Sequence, residues 1–157
     1  MRDGSMLDGV SKILELVVLR YYSEQTGKVL WCPVGEMSNF DGTDGAGTFT
    51  VEIKLDLMAM RTKNLAFEHS CNGRCSGLTV TTAHFWVSAV PHSREKFSCF
   101  EFETAVLREV LSPLPLVYGG DNRKSAMKLL PIETARNIVN SIFTVSVEWE
   151  KFQPTWS

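Results

Sequence analysis

One short segment in the first third of the chain carries the residue types best suited to chemistry. Asp41 precedes a glycine-rich turn at 44–47, and the β-prone run at 48–55 carries Glu52 and Lys54. Side chains two residues apart on a strand point to the same face, so Glu52 and Lys54 are predicted to lie together. Two carboxylates beside a lysine are the groups that metal-assisted phosphodiester hydrolysis needs.

The carboxylates of this segment are candidate ligands for a divalent cation. Magnesium takes hard oxygen ligands and is usually held by one or two carboxylates, with water and substrate phosphate completing the shell. If the turn makes a hairpin, Asp41 returns close to Glu52, and the main-chain carbonyl of Ile53 becomes a further ligand. Lys54 is expected to orient the attacking water or to stabilise the charge that develops on phosphate.

Two further acidic residues leave alternatives open. Asp44 is an alternative to Asp41 as the first metal ligand, because the sequence does not fix the register of the hairpin. Asp56 would face the same way as Glu52 and Lys54, although a carboxylate at the end of a surface strand is the simpler interpretation. The whole segment also has a simpler interpretation, a surface hairpin that carries a Glu–Lys pair.

The rest of the pattern predicts the elements that position this segment. Apolar residues recur at helical spacing over 9–23, and Glu15 lies off their main stripe. Further helices are predicted at 103–111 and 131–140, and a helical turn at 79–83. Strands are predicted at 28–33, 37–43, 48–55, 64–69, 84–90, 97–102 and 143–152, with a loop at 112–128. This order predicts one α/β domain over 1–157, with a mixed β-sheet flanked by helices.

Composition and charge limit the classes of function. The chain has 157 residues, 44% apolar and 22% charged, and lacks the apolar run of about 18 residues that a membrane span requires. We therefore expect no membrane partner. Because the first residues, MRDGSMLDG, lack the apolar core of a secretory signal, we expect a cytoplasmic location. The net charge of −2 counts mildly against nucleic-acid binding, but a local patch suffices. Arg61, Lys63 and Arg74 are the candidate DNA contacts, with solvated surface charge as the alternative.

Three later segments extend the pattern and carry a resemblance to a known family. Residues 64–68 are NLAFE, 74–78 are RCSGL and 81–86 are TTAHFW. With Asp41 and the Glu52-Ile53-Lys54 triplet, they resemble the PD-(D/E)XK nuclease superfamily, in particular nuclease and resolvase-like proteins encoded by phages. The likeness extends over about residues 8–140, although Phe40 stands where that motif has proline and His84 where relatives often have aspartate.

The resemblance implies a restriction-endonuclease-like core of αβββαβ topology and DNA cleavage that depends on Mg²⁺ or Mn²⁺. It implies that Asp41 and Glu52 bind the metal and that Lys54 is catalytic. It also implies that Glu68 is an accessory acidic group near the metal and that Glu15 corresponds to a glutamate on the first helix of some members. By the same analogy we expect DNA as the partner, a homodimer, and the cytoplasm of a bacterial or phage-infected cell.

Two other functions stay open from the sequence. The chain could be a catalytically inactive nucleic-acid-binding module, or a phage structural or interaction protein with the same fold. The sequence also leaves open the choice between endonuclease, exonuclease and junction resolvase, and the preferred DNA sequence.

Overall fold

The computed structural model describes residues 4–30, 40–44, 46–119 and 121–152. Its helices are α1 (Gly4–Thr26), α2 (Ala59–Thr62), α3 (Thr104–Leu111) and α4 (Ile132–Ile138). Its strands are β1 (Gly42–Thr43), β2 (Thr50–Leu55), β3 (Asn64–Cys71), β4 (Arg74–Cys75), β5 (Phe85–Pro91), β6 (Lys96–Glu103), β7 (Val117–Gly119), β8 (Ser125–Pro131) and β9 (Ser141–Ser146). Short 3-10 turns lie at Gly77–Thr79, Asp121–Arg123 and Trp149–Phe152.

The strands form two sheets. The larger has the order β1-β2-β5-β6-β9, in which β2 and β5 run parallel and the other neighbours antiparallel. The smaller has the order β4-β3-β8-β7 and is antiparallel throughout. The predicted mixed α/β fold with flanking helices is confirmed, while the division into two sheets was not predicted.

The first half of the core lies between α1 and one face of the larger sheet. Leu14, Val18 and Tyr22 recur every four residues on α1, and they belong to one buried cluster with Val51 and Ile53 of β2. Because such a spacing places side chains on a single helix face, the helix predicted at 9–23 forms, and it extends by several residues at both ends. No helix in the described ranges has the length and apolar character that crossing a membrane requires.

The second half of the core lies on the opposite face of the same sheet. Trp86 of β5 and Phe102 of β6 pack there with Phe67 of the smaller sheet and with Leu107 and Leu111 of α3. Because side chains alternate along a strand, β5 and β6 contribute to both cores. The even-numbered residues of β2, among them Glu52 and Lys54, point to this second side.

Several predicted boundaries are corrected at the start of the sheet. In the strand predicted at 28–33, residues 28–30 are not in a strand and 31–33 lie outside the described residues. Of the strand predicted at 37–43, Gly42–Thr43 forms β1, while 37–39 lie outside the described residues. The helical turn predicted at 79–83 lies earlier, at Gly77–Thr79, and α2 was not predicted.

The loop predicted at 112–128 is wrong, because it contains β7 and the first part of β8. The two strands pair from Val117 with Met127 to Gly119 with Ser125, and β8 also pairs with most of β3. These ladders satisfy the backbone of a segment whose prolines and glycines favoured a loop. The last strand begins at Ser141 and ends at Ser146, and the rest of the predicted strand includes the 3-10 turn Trp149–Phe152.

Candidate functional site

Asp41 lies directly before β1, against the edge of β2. Its main-chain amide donates to the Val51 carbonyl at 2.8 Å, and β1 itself pairs with β2 only at positions 42 and 43. A side chain at Gly42 would overlap Leu19 of α1, so glycine allows the helix to approach the hairpin here. The Asp41 carboxylate Oδ2 then accepts a hydrogen bond from the Ile53 amide at 2.7 Å.

The side chain of Ile53 lies on one face of β2, and its main-chain groups lie at one edge of the strand. Its side chain is buried in the core beneath α1, while its amide points to the edge of β2 beyond the last pair with β1. The N–H and C=O groups of one strand residue point to the same edge, so the Ile53 carbonyl also faces the side that Asp41 occupies. A main-chain oxygen and a carboxylate are therefore presented at the same edge of β2.

Glu52 and Lys54 lie on the same face of β2, as their spacing predicts. Lys54 Nζ is 3.1 Å from Glu52 Oε1, and the side chain of Glu52 is 13% exposed whereas that of Lys54 is 50% exposed. Glu52 is thus held within the fold while the ammonium group of Lys54 reaches solvent. This geometry suits a metal ligand, Glu52, that is fixed in place beside a lysine whose ammonium group can contact a substrate.

Burial and neighbouring charges raise the pKa values of the carboxylates in this region. Burial and then the charge of Asp41 raise the pKa of Glu52 to about 7, with a further contribution from Glu15 and an opposing one from Lys54. Burial also raises the pKa of Asp41, against the Ile53 amide and Lys54. The pKa of Glu15 is raised by burial and by Asp41, although Lys12 lies 3.4 Å from its carboxylate. The repulsion among these carboxylates is relieved when a proton or a cation binds to them.

The same surroundings keep Lys54 protonated. Partial burial acts to lower the pKa of Lys54, but the carboxylates of Glu52, Asp41 and Glu68 outweigh it and the pKa is raised. A lysine with a raised pKa is an ammonium ion near neutral pH and not a proton acceptor. Lys54 is therefore suited to electrostatic stabilisation of an anion.

Glu68 approaches the site from the smaller sheet. It lies on β3, where its Oε1 accepts a hydrogen bond from Ser125 Oγ at 3.0 Å. Glu68 and Lys54 both line a recess of about 360 Å³, and Glu68 is one of the charges that act on Lys54. The accessory residue expected on β3 is thus brought next to the lysine of β2.

Asp44 holds the hairpin turn. Its carboxylate accepts a hydrogen bond from the Thr48 amide at 3.1 Å and another from the Thr48 hydroxyl, and Lys28 Nζ lies 3.5 Å away. These contacts, with that of Thr48 the largest, lower the pKa of Asp44 to about 2. Asp44 therefore caps a turn, while Asp41 is the aspartate that reaches the edge of β2.

Asp56 holds the corner that follows β2. Its Oδ2 accepts a hydrogen bond from the Ala66 amide at 2.8 Å, and the amides of Met58 and Ala59 at the start of α2 also donate to its carboxylate. Burial raises the pKa of Asp56 against these hydrogen bonds. This carboxylate lines the recess beside Lys54, but its acceptor capacity is largely taken by the backbone.

The three basic residues expected to contact DNA do not form one patch. Arg61 lies on α2 and Lys63 follows it, whereas Arg74 lies on β4, beyond the far end of β3. All three are exposed. At about 3.3 Å per residue, β3 separates the two ends by roughly 25 Å, with Glu68 between them.

A histidine and a threonine that the sequence did not assign to the site also lie on this face. Thr50 precedes Glu52 by two residues on β2, and its hydroxyl accepts a hydrogen bond from the His84 amide at 2.9 Å. The exposed imidazole of His84 places Nδ1 3.3 Å from Thr50 Oγ1. The parallel pairing of β2 with β5 creates this contact, and no local pattern in the sequence predicts that pairing.

The donor set defines how a cation would be held. Within the part of the chain that the structure describes, no three histidine, cysteine, aspartate or glutamate side chains converge as a ready-made metal cage. The available set is two carboxylates, Asp41 and Glu52, with the Ile53 carbonyl. Magnesium is commonly held by one or two protein carboxylates, with water and substrate oxygens completing its shell, so the set fits that ion.

Comparisons of this chain with protein-family models, with curated proteins and with solved structures found no match.

Proposed function

We propose that this chain is a metal-dependent deoxyribonuclease of the PD-(D/E)XK type, which hydrolyses phosphodiester bonds of DNA. The observation that supports this function most is the proximity of Asp41, Glu52, Lys54 and the Ile53 carbonyl at one edge of β2. The α1 helix, the hairpin of β1 and β2 and the parallel neighbour β5 accord with a restriction-endonuclease-like core. By the resemblance to that superfamily we also propose a cytoplasmic enzyme that acts as a homodimer in a bacterial or phage-infected cell.

In this function Asp41 and Glu52 bind Mg²⁺ or Mn²⁺, with the Ile53 carbonyl as a third oxygen ligand. Held by these residues, the ion would supply a water of lowered pKa and would polarise the phosphate. Asp41 is held in place by the Ile53 amide, and Glu52 by Lys54, so both carboxylates are oriented before the ion arrives. Such preorganisation reduces the reorganisation that binding and reaction require.

Lys54 stabilises the negative charge that develops on the phosphate during attack by water. Its raised pKa keeps it cationic, and its half-exposed side chain can reach a substrate at the surface. The charge of Glu68 assists by favouring the protonated form of Lys54, and Glu15 adds negative charge near Glu52. Arg61, Lys63 and Arg74 contact phosphates on either side of the cut.

The decisive experiment is cleavage of a DNA panel in Mg²⁺ or Mn²⁺. The panel contains linear, nicked, single-stranded and four-way DNA, and the protein is compared with Glu52→Gln and Lys54→Met. Each variant should lose about 100-fold or more in single-turnover rate, the scale observed when a preorganised electrostatic group is removed. Glu109→Gln on α3 and Lys96→Met on β6 change exposed residues of the same types and should cut like the parent protein.

Two results would reject the nuclease function. Absence of cleavage by the parent protein on every DNA form in both metals would leave an inactive binding module or a structural protein. Equal cleavage by the parent and by Glu52→Gln would move the chemistry away from β2.

A further inference from the structure

The recess beside Lys54 is more apolar than contact with a DNA backbone requires. Besides Lys54, Asp56 and Glu68 it is lined by Leu57 and Met58 of the β2–α2 corner, by Met127 of β8 and by residues of β3 and β5. Phosphate and sugar are recognised by cationic and hydrogen-bonding groups, which need no apolar cavity next to them. We therefore expect the recess to contact a part of the substrate other than its phosphate and sugar groups.

The walls of the recess offer apolar side chains to a ligand. Leu57 and Met58 are 42% and 48% exposed, so their side chains face solvent at this corner. Trp86 is buried, and its Nε1 donates to Ser88 Oγ at 3.2 Å, which satisfies the polar atom of the indole. Methionine thioethers adapt to the shape of a bound group and interact favourably with aromatic rings.

The size and position of the recess narrow the choice of ligand. Its volume of about 360 Å³ lies at the low end of the roughly 300–1,000 Å³ of small-molecule sites. Lys54 lines it and also lies 3.1 Å from Glu52, so a group inside is within reach of the phosphate bound at the metal site. A single nucleobase attached to that phosphate is small enough to enter the recess, whereas a paired base is held in the duplex stack.

On the basis of the proposed nuclease function, we propose that this recess binds one unpaired nucleobase of the substrate strand, next to the cleaved phosphodiester. The preferred substrates are then DNA forms with an unpaired nucleotide at the cut, such as bulges, junctions and single-stranded ends. A base taken from a duplex must first be unstacked and unpaired, which costs least where the base is already single-stranded.

Three DNA substrates of one sequence test the inference. The first is fully paired, the second carries a single-nucleotide bulge, and the third carries the same bulge with an abasic residue. The protein should cut the bulged DNA about tenfold faster than either of the others, the scale expected for binding one base. The affinity of Glu52→Gln, measured by fluorescence anisotropy in Mg²⁺, should follow the same order.

Two substitutions in the recess and one outside it make the test specific. Met58→Ala removes a wall and Ala66→Met fills the recess, so both should bring the ratio of bulged to abasic affinity towards one. Met60→Ala is the matched control, because Met60 is 41% exposed on α2 and does not line the recess. Circular dichroism and thermal unfolding of each variant establish that it is folded.

The outcomes separate this inference from the nuclease function. Equal affinity of Glu52→Gln for the bulged and abasic DNA overturns the base-binding recess, whether or not the parent protein cuts DNA. So does an unchanged ratio in folded Ala66→Met. Absence of cleavage by the parent on every substrate rejects the nuclease function alone, since the affinity measurement does not depend on turnover.

Discussion

The carboxylate of Asp41 takes the place of a strand partner for Ile53, whose amide donates to Asp41 Oδ2 at 2.7 Å. One carboxylate oxygen is thereby fixed, while a carboxylate has further acceptor sites for a cation. Because the amide is fixed, the Ile53 carbonyl on the same edge of the strand is fixed with it. A single hydrogen bond thus orients two of the three proposed metal ligands.

Removing the charge of Glu52 should stabilise the metal-free protein at high pH. The pKa of Glu52 is about 7 in the fold against 4.5 for an unperturbed glutamate, so the folded protein binds more protons between these values. Its stability therefore falls as the pH rises through this window. In EDTA, Glu52→Gln should be more stable than the parent by about 1–3 kcal/mol at about pH 8, and nearly equal at about pH 5.

Urea unfolding at the two pH values measures this difference. Glu109→Gln, which changes an exposed glutamate on α3, should show little change in stability at either pH. If Glu52→Gln were less stable than the parent at both values, Glu52 would be a structural residue and not a strained ligand.

Magnesium should stabilise the protein more at high pH than at low pH. The ion requires deprotonated Glu52, so the apparent affinity should fall by about tenfold per pH unit below the pKa of about 7. An ion present at 100 times its dissociation constant adds about 2.7 kcal/mol to the stability of the fold. Thermal unfolding with and without Mg²⁺ at about pH 8 and pH 6 measures the effect. A shift that persists in Glu52→Gln would place the ion elsewhere.

The two aspartates of the hairpin should behave differently when each is changed to asparagine. Asp41→Asn retains an oxygen for the Ile53 amide but loses a charged ligand, so cleavage should fall about 100-fold in a folded protein. Asp44→Asn weakens the contacts with Thr48 and Lys28, so the midpoint of thermal unfolding should fall while cleavage persists. The reverse pattern would identify Asp44 as the metal ligand.

Glu101 is a buried carboxyl group whose contacts are structural. Its two oxygens accept hydrogen bonds from Tyr22 Oη and from Asn140 Nδ2, each at 2.5 Å, which tie α1 and the segment before β9 to β6. Burial and then Glu101 raise the pKa of Tyr22, so its hydroxyl stays a donor. Tyr22→Phe should lower the free energy of unfolding by about 1–3 kcal/mol without changing the cleavage rate.

Chemical denaturation and the cleavage assay together check this assignment. Tyr118→Phe is the control, because Tyr118 is 62% exposed on β7 and its hydroxyl should be dispensable. A loss of cleavage in folded Tyr22→Phe would connect this buried cluster to the active site.

The parts of the site that lie close in sequence could be predicted, because local patterns determine them. Alternation along β2 places Glu52 beside Lys54, and the glycine-rich turn returns Asp41 to the same strand. The four-residue spacing on α1 similarly predicts the helix that supports Ile53 from below. In each case a single period or turn decides which side chains meet.

The parts that depend on distant pairings could not be predicted. His84 meets Thr50 only because β5 runs parallel beside β2, across 34 residues of sequence. The pairing of β7 with β8 was likewise hidden, since prolines and glycines favoured a loop over 112–128. Tertiary hydrogen bonds override local preference in both places. The recess beside Lys54 arises in the same way, from two sheets that no local pattern joins.

β1 is two residues long and pairs with β2 at positions 42 and 43. This short pairing affects whether a strand of another copy of the chain can pair with β2. An uncovered strand border is a template onto which another polypeptide can add, and charged groups along it oppose such growth. At Ile53 the hydrogen bond of the strand amide is accepted by the Asp41 carboxylate and not by the main chain of another strand. Glu52 is close enough for its charge to interact with that of Asp41. The Asp41 carboxylate, suited to chemistry, therefore also opposes the addition of a foreign strand at this position of β2.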